Sequence, residues 1–339
     1  VVVGMVATGM IGCDLGLASC TCCQAGFGKS GARFIVSTIF AVNMIGWFGI
    51  QNGVCGEAFS NAMLAMTGWD IPVVVSNTIW GIIMLLTAVY GVHALEKLDK
   101  ISIPLLMIIM CYGTFLAFKV YGTGNLNDEG TVQSMSFMSG VALSFNFTAV
   151  GTITGPDYTR FQKSRKDTVK SVFYGVFPMG VITLIMGIVL TKLSGQYDIS
   201  MVLIEVGLPL LGIIALVIST WTTNSTNAYS AGLNIVMALK LKDNRRREAT
   251  LISGIVGIVL CDLGILGHVE GVLSLLSYVV CPVGGVILAD YWVVGKGKAK
   301  NFRPQDGVNW AGVIAWALGA IISYTLVKIE FVGIIIGFV

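Results

Sequence analysis

Charged side chains are scarce in this sequence. Asp, Glu, Lys and Arg make up 12% of its 339 residues, whereas hydrophobic residues make up 55%. Soluble domains carry about 25% charged residues, so this chain has too little polar surface to solvate a globule of its size. The scarcity of charge excludes an ordinary soluble domain and indicates an integral membrane protein.

Histidine is rarer still, with two residues in the whole sequence. Both His93 and His268 lie far along the chain from the tight group Cys20, Cys22 and Cys23. A structural zinc site draws on two arms rich in Cys or His. We therefore interpret these thiols as small packing groups and predict no metal centre. The net charge of +3 gives no indication of a nucleic-acid partner.

Long apolar segments are abundant, and a membrane-spanning helix needs about 20 mostly apolar residues. The sequence predicts nine spans, at 34–64, 72–93, 102–121, 137–156, 171–194, 207–238, 250–267, 270–294 and 309–327. Residues 1–11 are expected to end an earlier helix, and 329–339 to begin a later one. We therefore expect an all-α polytopic membrane protein whose residues 1–339 form a single transmembrane domain, cut from a longer transporter.

Basic residues are distributed unevenly between the predicted loops. Alternate loops hold 18 of the 21 Lys and Arg residues, and the other loops hold Lys119, Lys192 and Lys328. Cytoplasmic loops of membrane proteins carry the excess of Lys and Arg. This asymmetry places the 18 residues in the cytoplasm, and its strict alternation supports the number of predicted spans.

One predicted span carries an unusually polar segment. Residues 219–227 read STWTTNSTN, in which every side chain except that of Trp221, eight of the nine, carries a hydroxyl or an amide. At helical spacing, six polar residues share one stripe: Ser219, Thr222, Thr223, Thr226, Asn227 and Ser230. Neutral oxygen atoms bind hard cations, whereas interhelical hydrogen bonding needs only one or two such residues. The stripe favours an ion site, with interhelical packing as the alternative.

The predicted span 137–156 contains residues that weaken a helix. Gly151, Gly155 and Pro156 lie among β-branched residues of low helix propensity. Irregular backbone at membrane depth is tolerated only where it faces protein or a wet cavity. Transporters use such broken helices as substrate sites, so we predict a broken helix at a binding site, with a simple kink as the alternative.

Trp47 and Gln51 are four residues apart and share one helical face. Gly46 and Gly49 are expected to leave space beside the indole. An aromatic ring that can stack, next to an amide, suits a flat heterocycle with hydrogen-bond donors and acceptors. Glu57 follows about two turns of helix further on, and an intramembrane carboxylate marks a functional residue by default. Glu57 is predicted to be either a proton relay or a structural acid.

Four motifs carry a resemblance to a known family: Gly46-Trp47-Phe48-Gly49, Gly151-Thr152-Ile153-Thr154 followed by Asp157-Tyr158-Thr159-Arg160-Phe161, Trp221-Thr222-Thr223-Asn224, and Pro282-Val283-Gly284-Gly285-Val286-Ile287-Leu288-Ala289-Asp290-Tyr291. Over essentially its whole length the chain resembles the nucleobase–cation symporter family, which includes cytosine and purine–cytosine permeases and hydantoin transporters. The resemblance implies a twelve-helix protein with a LeuT-like core of two inverted five-helix repeats. It also implies that this chain begins late in helix 2 and lacks helix 1.

On that template, 34–64 is helix 3, 137–156 is helix 6 and 207–238 is helix 8. The resemblance implies that substrate stacks between Trp47 and Phe147. The other substrate-binding residues are then expected to be Gln51, Asn146 and Asn227. The family's sodium site takes oxygen atoms from helices 1 and 8, and the helix 8 ligands map onto Ser219, through its backbone carbonyl, Thr222 and Thr223.

The chain departs from the family pattern at one substrate position. Cytosine permeases carry a Gln three residues before the Trp, where this chain has Met44. The hydantoin-type pattern instead has an amide four residues after the Trp, which Gln51 matches. The substrate therefore stays open between cytosine, a purine and a hydantoin-like molecule.

These observations predict a multi-pass protein of the plasma membrane that imports a small heterocycle together with sodium as the coupling ion. We expect no other cofactor. Its expected partners are the substrate and membrane lipid, and no nucleic acid. The alternative coupling is a proton carried by Glu57, for a related heterocycle such as a thiamine-precursor pyrimidine. An intramembrane enzyme needs a nucleophile–base pair or metal ligands. A channel is expected to show charged rings or a carbonyl filter. The sequence shows neither pattern, and both classes rank behind a transporter.

Overall fold

The computed structural model describes residues 1–90, 92–127, 136–196 and 198–326, and every regular element in these ranges is helical. The α-helices are α1 (Val2–Leu15), α2 (Ser19–Cys22), α3 (Gln24–Phe27), α4 (Lys29–Gly31), α5 (Ser37–Thr67), α6 (Val73–Tyr90), α7 (Val92–Tyr121), α8 (Phe137–Thr148), α9 (Gly151–Thr159), α10 (Arg165–Ser194), α11 (Ile199–Glu205), α12 (Pro209–Ala238), α13 (Arg246–Asp262), α14 (Val269–Leu288) and α15 (Trp310–Thr325). The all-α expectation is confirmed.

Within the described ranges, six helical stretches are long and apolar enough to cross a membrane. They are Lys29–Thr67, Val73–Tyr90, Lys97–Tyr121, Phe137–Thr159, Arg165–Ser194 and Ile265–Val294. The remaining three of the nine predicted spans are also helices. Helix α12 has 30 residues but a polar centre, while α13 and α15 have 17 and 16 residues.

Several boundaries differ from the prediction. Helix α7 begins at Val92 rather than at 102, because the polar run before it contains strong helix formers and neither Gly nor Pro. Helix α10 begins at Arg165, where the Ser164 hydroxyl accepts a hydrogen bond from the Asp167 backbone N–H and caps the helix. Helix α13 ends at Asp262, five residues before its predicted end. The predicted span at 329–339 lies outside the described residues.

Glycines allow the helices α5, α12 and α13 to approach one another closely. A Cβ at Gly257 of α13 would lie 2.5 Å from a ring carbon of Phe48 in α5. A Cβ at Gly232 of α12 would lie 2.1 Å from the Thr250 hydroxyl oxygen at the start of α13. Because small residues let membrane helices pack backbone to backbone, these positions bring α5, α12 and α13 together, with α6 packed against all three.

A second group of helices is formed by α1, α9 and α10. A Cβ at Gly12 of α1 would lie 2.4 Å from the Cα atom of Pro156 in α9. The Thr8 hydroxyl of α1 also donates a hydrogen bond of 2.7 Å to the Thr152 carbonyl oxygen. Residues Gly155 and Pro156 therefore lie inside α9 and form a packing surface, rather than interrupting the helix as predicted.

An ionic cluster joins the ends of three helices. The Arg165 Nε atom donates to an Asp14 carboxylate oxygen at 2.9 Å, and the Tyr291 hydroxyl donates to the same carboxylate. Arg165 Nη2 also donates to the Gly297 carbonyl oxygen at 2.6 Å. Tyr291 lies in a π-helical segment, Ala289–Val294, that follows α14. The cluster thus connects α1 and α10 with the end of α14.

The three neighbouring cysteines pack as the sequence indicated. Cys20, Cys22 and Cys23 are buried in one hydrophobic cluster with Phe27 and Ile11. Burial raises the pKa of the Cys20 thiol to about 12, and burial likewise raises the pKa of the Cys22 thiol to about 12. Such thiols stay protonated at neutral pH and act as small apolar groups.

Candidate functional site

Trp47 lies in the N-terminal half of helix α5. Trp47 is 9% exposed and forms a hydrophobic cluster with Ile50 and Leu273, against which Leu143 and Leu276 pack. Gly46 and Gly49 do not leave open space beside it as expected. A Cβ at Gly46 would lie 3.3 Å from Leu276, and a Cβ at Gly49 would lie 3.1 Å from the Gly257 carbonyl oxygen. These glycines instead allow α5 to pack closely against α13 and α14.

Trp47 meets Phe147, the aromatic residue predicted to oppose it. Their ring centroids are 5.1 Å apart and their planes are perpendicular. Phe147 is 57% exposed, so it can move more freely than the buried indole. A flat ring between two parallel rings needs about 7 Å between them, twice a van der Waals contact. The pair is therefore assembled, but Phe147 has to swing away from Trp47 before a heterocycle can stack between them.

The predicted break in span 137–156 lies directly after Phe147. Helix α8 ends at Thr148 and α9 begins at Gly151, so the interruption falls at Ala149 and Val150. At this point the backbone hydrogen bonds join residues three apart instead of four. The Ala149 N–H donates to the Asn146 carbonyl oxygen, and the Thr152 N–H donates to the Ala149 carbonyl oxygen. Ala149 and Val150 keep right-handed helical dihedral angles, and Phe137–Thr159 remains one helical stretch with a tightened turn, so the simple-kink alternative fits better than a broken helix.

Asn146 is held beside this aromatic pair by α14. Its side chain is 5% exposed, and its Nδ2 atom donates to the Ser274 hydroxyl oxygen at 3.1 Å. The Ser277 hydroxyl donates to the Asn146 backbone carbonyl oxygen at 3.5 Å. Among the described residues, the Asn146 Oδ1 atom has no hydrogen-bond partner. A buried amide oxygen without a partner is an acceptor that a ligand N–H group can satisfy.

The hydroxyl groups of the α12 stripe bond to their own helix. Thr222 and Thr223 both donate to the Ser219 carbonyl oxygen, at 3.0 and 3.1 Å. Ser219 itself donates to the Leu216 carbonyl oxygen at 3.0 Å. Because each hydroxyl uses its proton in these bonds, its oxygen lone pairs point away from the helix and can ligate a cation. The Ser219 carbonyl oxygen, the predicted backbone ligand, thus lies 3.0 and 3.1 Å from the Thr222 and Thr223 hydroxyl oxygens, and the three form one group of neutral oxygen atoms.

The other polar residues of 219–227 face neighbouring helices. Trp221 Nε1 donates to the Thr87 hydroxyl oxygen of α6 at 2.9 Å. The Asn224 Nδ2 atom donates to the Phe48 carbonyl oxygen of α5 at 3.1 Å, and the Ser225 hydroxyl donates to the Met84 carbonyl oxygen at 3.0 Å. These three side chains lie off the predicted stripe and hold α12 to its neighbours.

Gln51 and Asn227 are both half-buried, on the neighbouring helices α5 and α12. The Asn227 Nδ2 atom has no hydrogen-bond partner within the part of the chain that the structure describes. Glu57 is also half-buried, six residues beyond Gln51 on α5. In contrast, Asp157 accepts a hydrogen bond of 2.9 Å from the Ser19 backbone N–H. Asp157 therefore caps the start of α2.

Two polar residues near the aromatic pair were missed by sequence reasoning. Asn43 is 1% exposed, and neither polar atom of its amide has a partner in the described ranges. The spacing of four residues to Trp47 was a signal for it, because the two side chains share one face of α5. Ser274, which holds Asn146, carries no comparable signal, since isolated serines are common in membrane helices.

Six long apolar helical stretches in the described ranges, an aromatic pair beside a tightened helical turn, and a face of α12 lined with neutral oxygen atoms indicate a multi-pass membrane transporter rather than an enzyme. A family described as "Permease for cytosine/purines, uracil, thiamine, allantoin" matches residues 1–339. The chain belongs to this family of permeases for nucleobases and related heterocycles, and it is a multi-pass protein of the plasma membrane.

Individual relatives agree with this assignment. Cytosine permease of Escherichia coli strain K12 is 31% identical over 335 residues, which cover 97% of this chain and 76% of that protein. Allantoin permease of Bacillus subtilis strain 168 is 24% identical, covering 94% of this chain and 73% of that protein.

The fold is similar to that of Mhp1. The inward-facing structure of Mhp1 gives a TM-score of 0.79 at 19% identity, covering 99% of this chain and 79% of that chain. A closed Mhp1 structure with bromovinylhydantoin bound, described as a nucleobase-cation-symport-1 family transporter, gives a TM-score of 0.78 at 18% identity. The expected LeuT-like fold is confirmed.

Proposed function

We propose that this permease imports a flat, uncharged heterocycle together with sodium. The observation that carries the substrate class is the contact between Trp47 and Phe147, beside the buried and unpartnered Oδ1 atom of Asn146. Two aromatic rings stack on a flat molecule, and an amide acceptor selects one that presents an N–H group at its edge. Cytosine, purines and hydantoins all have this shape and such donors.

Gln51 and Asn227 supply the remaining polar contacts in this proposal. They lie on the packed pair α5 and α12, and the free Nδ2 donor of Asn227 complements a ring carbonyl or ring nitrogen. The names of the relatives include cytosine and allantoin permeases. Since Met44 replaces the Gln that cytosine permeases carry, a binding screen should test cytosine, purines, allantoin and hydantoins in parallel.

Sodium is proposed as the coupling ion because the oxygen atoms of the α12 surface are neutral. Ser219, Thr222 and Thr223 can replace water molecules around a monovalent cation without a buried countercharge. A transporter must also release its ion, which favours weak neutral ligands over a carboxylate cage. Ion binding next to the substrate site would then raise substrate affinity, and substrate would raise ion affinity by the same factor.

Uptake by the purified protein in liposomes tests this function. Radiolabelled heterocycle should accumulate against its gradient when sodium is high outside, and unlabelled substrate inside should drive counterflow of unchanged label. A channel does not support counterflow, and an enzyme alters the label. Accumulation that ignores the sodium gradient would contradict the proposed coupling.

Proton coupling through Glu57 is the second candidate, because this half-buried carboxylate lies on the same helix as Trp47 and Gln51. In that case, uptake by the Glu57→Gln variant should lose the pH dependence of the parent. Under sodium coupling, both proteins should follow external sodium, and Glu57 is then a structural acid.

A further inference from the structure

A cavity of about 390 Å³ lies at the cytoplasmic end of α12, away from the aromatic pair. One wall is formed by α3, α4 and the π-helical segment Ala32–Val36 that precedes α5. The other wall is formed by the last turn of α12 and the residues after it. The excess of basic residues in these loops places the cavity at the inner surface of the membrane.

The lining of this cavity is basic. Lys29, Arg33 and Lys240 contribute three cations, against one carboxylate from Asp243. Lys29 forms an ion pair of 2.7 Å with Asp306, but Asp306 is 90% exposed and such surface pairs are weak. The cavity therefore keeps an unbalanced positive charge and attracts an anion.

Arg33 gives the clearest sign of an absent acceptor. Its Nε atom is buried and makes no hydrogen bond to any residue that the structure describes. A buried guanidinium donor without an acceptor is unfavourable, and a phosphate or carboxylate oxygen satisfies it well. The Ser30 hydroxyl and the Gln24 amide also line the cavity and can donate to further oxygen atoms.

The apolar part of the lining indicates where the anion comes from. Val236, Met237 and Leu241 form the α12 side of the cavity. Met237 and Leu241 are 37% and 40% exposed, and the nearby Phe34 is 60% exposed. A charged pocket that opens onto an apolar surface suits a molecule with an anionic head and a hydrocarbon chain better than a soluble ion.

We propose that this cavity binds the phosphodiester headgroup of an anionic phospholipid from the cytoplasmic leaflet. Basic pockets between membrane helices on this side are suited to such headgroups. Arg33 lies in the turn that leads into α5, and Lys240 follows α12 with a left-handed backbone angle φ of 51°. The headgroup would thus bridge the ends of the two helices that carry Trp47 and Thr223. This inference does not depend on the transported substrate or on the coupling ion.

Thermal stability of the intact protein in a neutral detergent provides the test. Dioleoyl phosphatidylglycerol, dioleoyl phosphatidylcholine and inorganic phosphate are titrated separately, and retained lipid is counted by native mass spectrometry. We expect phosphatidylglycerol to stabilise the protein at the lowest concentration. Equal stabilisation by phosphatidylcholine, or equal stabilisation by free phosphate, would overturn the lipid site.

A double variant locates the lipid on the protein. Arg33→Gln with Lys240→Gln should raise the phosphatidylglycerol concentration needed for half-maximal stabilisation about tenfold or more, since each cation near anionic lipid contributes about 1 kcal/mol. The matched control is Arg303→Gln with Lys298→Gln, two exposed basic residues on the same side of the membrane that do not line the cavity. An equal loss in both pairs would show nonspecific attraction and overturn the proposal.

The single variant Lys240→Gln keeps the proposal testable if the double variant does not fold. Lys240 is exposed, so its replacement does not disturb a packed core. We expect about a fivefold weaker response to phosphatidylglycerol from the loss of one cation. A response identical to that of the parent protein would remove Lys240 from the site and overturn the bridge between α5 and α12.

Discussion

The two faces of α12 are similarly polar in sequence, but their side chains have different partners. On one face, Trp221, Asn224 and Ser225 donate hydrogen bonds to α5 and α6. On the other face, Thr222 and Thr223 donate to the Ser219 carbonyl oxygen of their own helix. The first set holds helices together, whereas the second leaves oxygen lone pairs available to a ligand. Polar composition alone therefore does not locate a binding site. The hydrogen-bond partners of the polar side chains show which face can bind a ligand.

We expect the largest effect from a substitution that overpacks the buried face of α12. Gly232→Leu places a branched side chain where even a Cβ would lie 2.8 Å from the Thr250 backbone nitrogen. Because backbone cannot move aside as a side chain does, we expect a loss of more than about 3 kcal/mol and little folded protein. Size-exclusion chromatography and thermal unfolding measure this.

The matched control for Gly232→Leu is Thr226→Leu, on the exposed face of the same helix. This variant should elute and melt like the parent protein. If the two leucine variants behave alike, the distinction between a packed and an open face of α12 is wrong.

A second test compares Trp47 with an aromatic residue outside the site. Trp47→Ala removes one of the two proposed stacking rings and should weaken heterocycle binding by about 1–3 kcal/mol, or roughly 5- to 150-fold. Trp310 is 67% exposed, so Trp310→Ala should leave affinity unchanged. Binding is measured by calorimetry or by a scintillation proximity assay. A folded Trp47→Ala protein with parental affinity would exclude the stacking role.

The smallest expected effect comes from removing single hydroxyl groups, and it should differ between the two faces of α12. Thr223→Ala should raise the sodium concentration for half-maximal substrate binding about fivefold, since one oxygen ligand contributes about 1 kcal/mol. Thermal stability should stay near that of the parent, because the Thr223 hydroxyl bonds only within its helix among the described contacts.

Ser225→Ala is the control from the buried face. It removes the bond to the Met84 carbonyl oxygen and should cost about 0.6 kcal/mol of stability, without changing sodium dependence. Thr222→Val, which lacks the hydroxyl but keeps the shape, should resemble Thr223→Ala. If sodium dependence is the same in all three variants and the parent, the α12 surface does not bind the coupling ion.

Much of the fold could be predicted from the sequence because the signals are local. Apolar segments of sufficient length predicted the membrane helices. Gly151 with its β-branched neighbours predicted a weak point in span 137–156, where the structure has a tightened turn rather than a break. The same reasoning misplaced the role of Gly155 and Pro156. Their function is to let α9 pack against Gly12 and Gly9 of α1, and a contact between segments so far apart in sequence has no local signal.

The candidate site was predictable where residues lie at helical spacing and unpredictable where a different helix decides the environment. Trp47 with Gln51, and Thr222 with Thr223, follow from spacing along one helix. The meeting of Trp47 with Phe147 came from a family resemblance, and the structure shows the two rings 5.1 Å apart. The hydrogen bond from Asn146 to Ser274 joins residues on α8 and α14, and nothing in either segment indicates it.

The sequence by itself determined that this protein crosses the membrane many times, because so few charges cannot solvate a globule. The distribution of Lys and Arg predicts its orientation in the membrane. Only the tertiary structure decided which polar residues of α12 are buried and which are open. A hydroxyl or amide in a membrane helix must be satisfied by some partner. Whether that partner is a neighbouring helix, the helix's own backbone or a ligand depends on which surfaces meet, and that is a property of the folded chain.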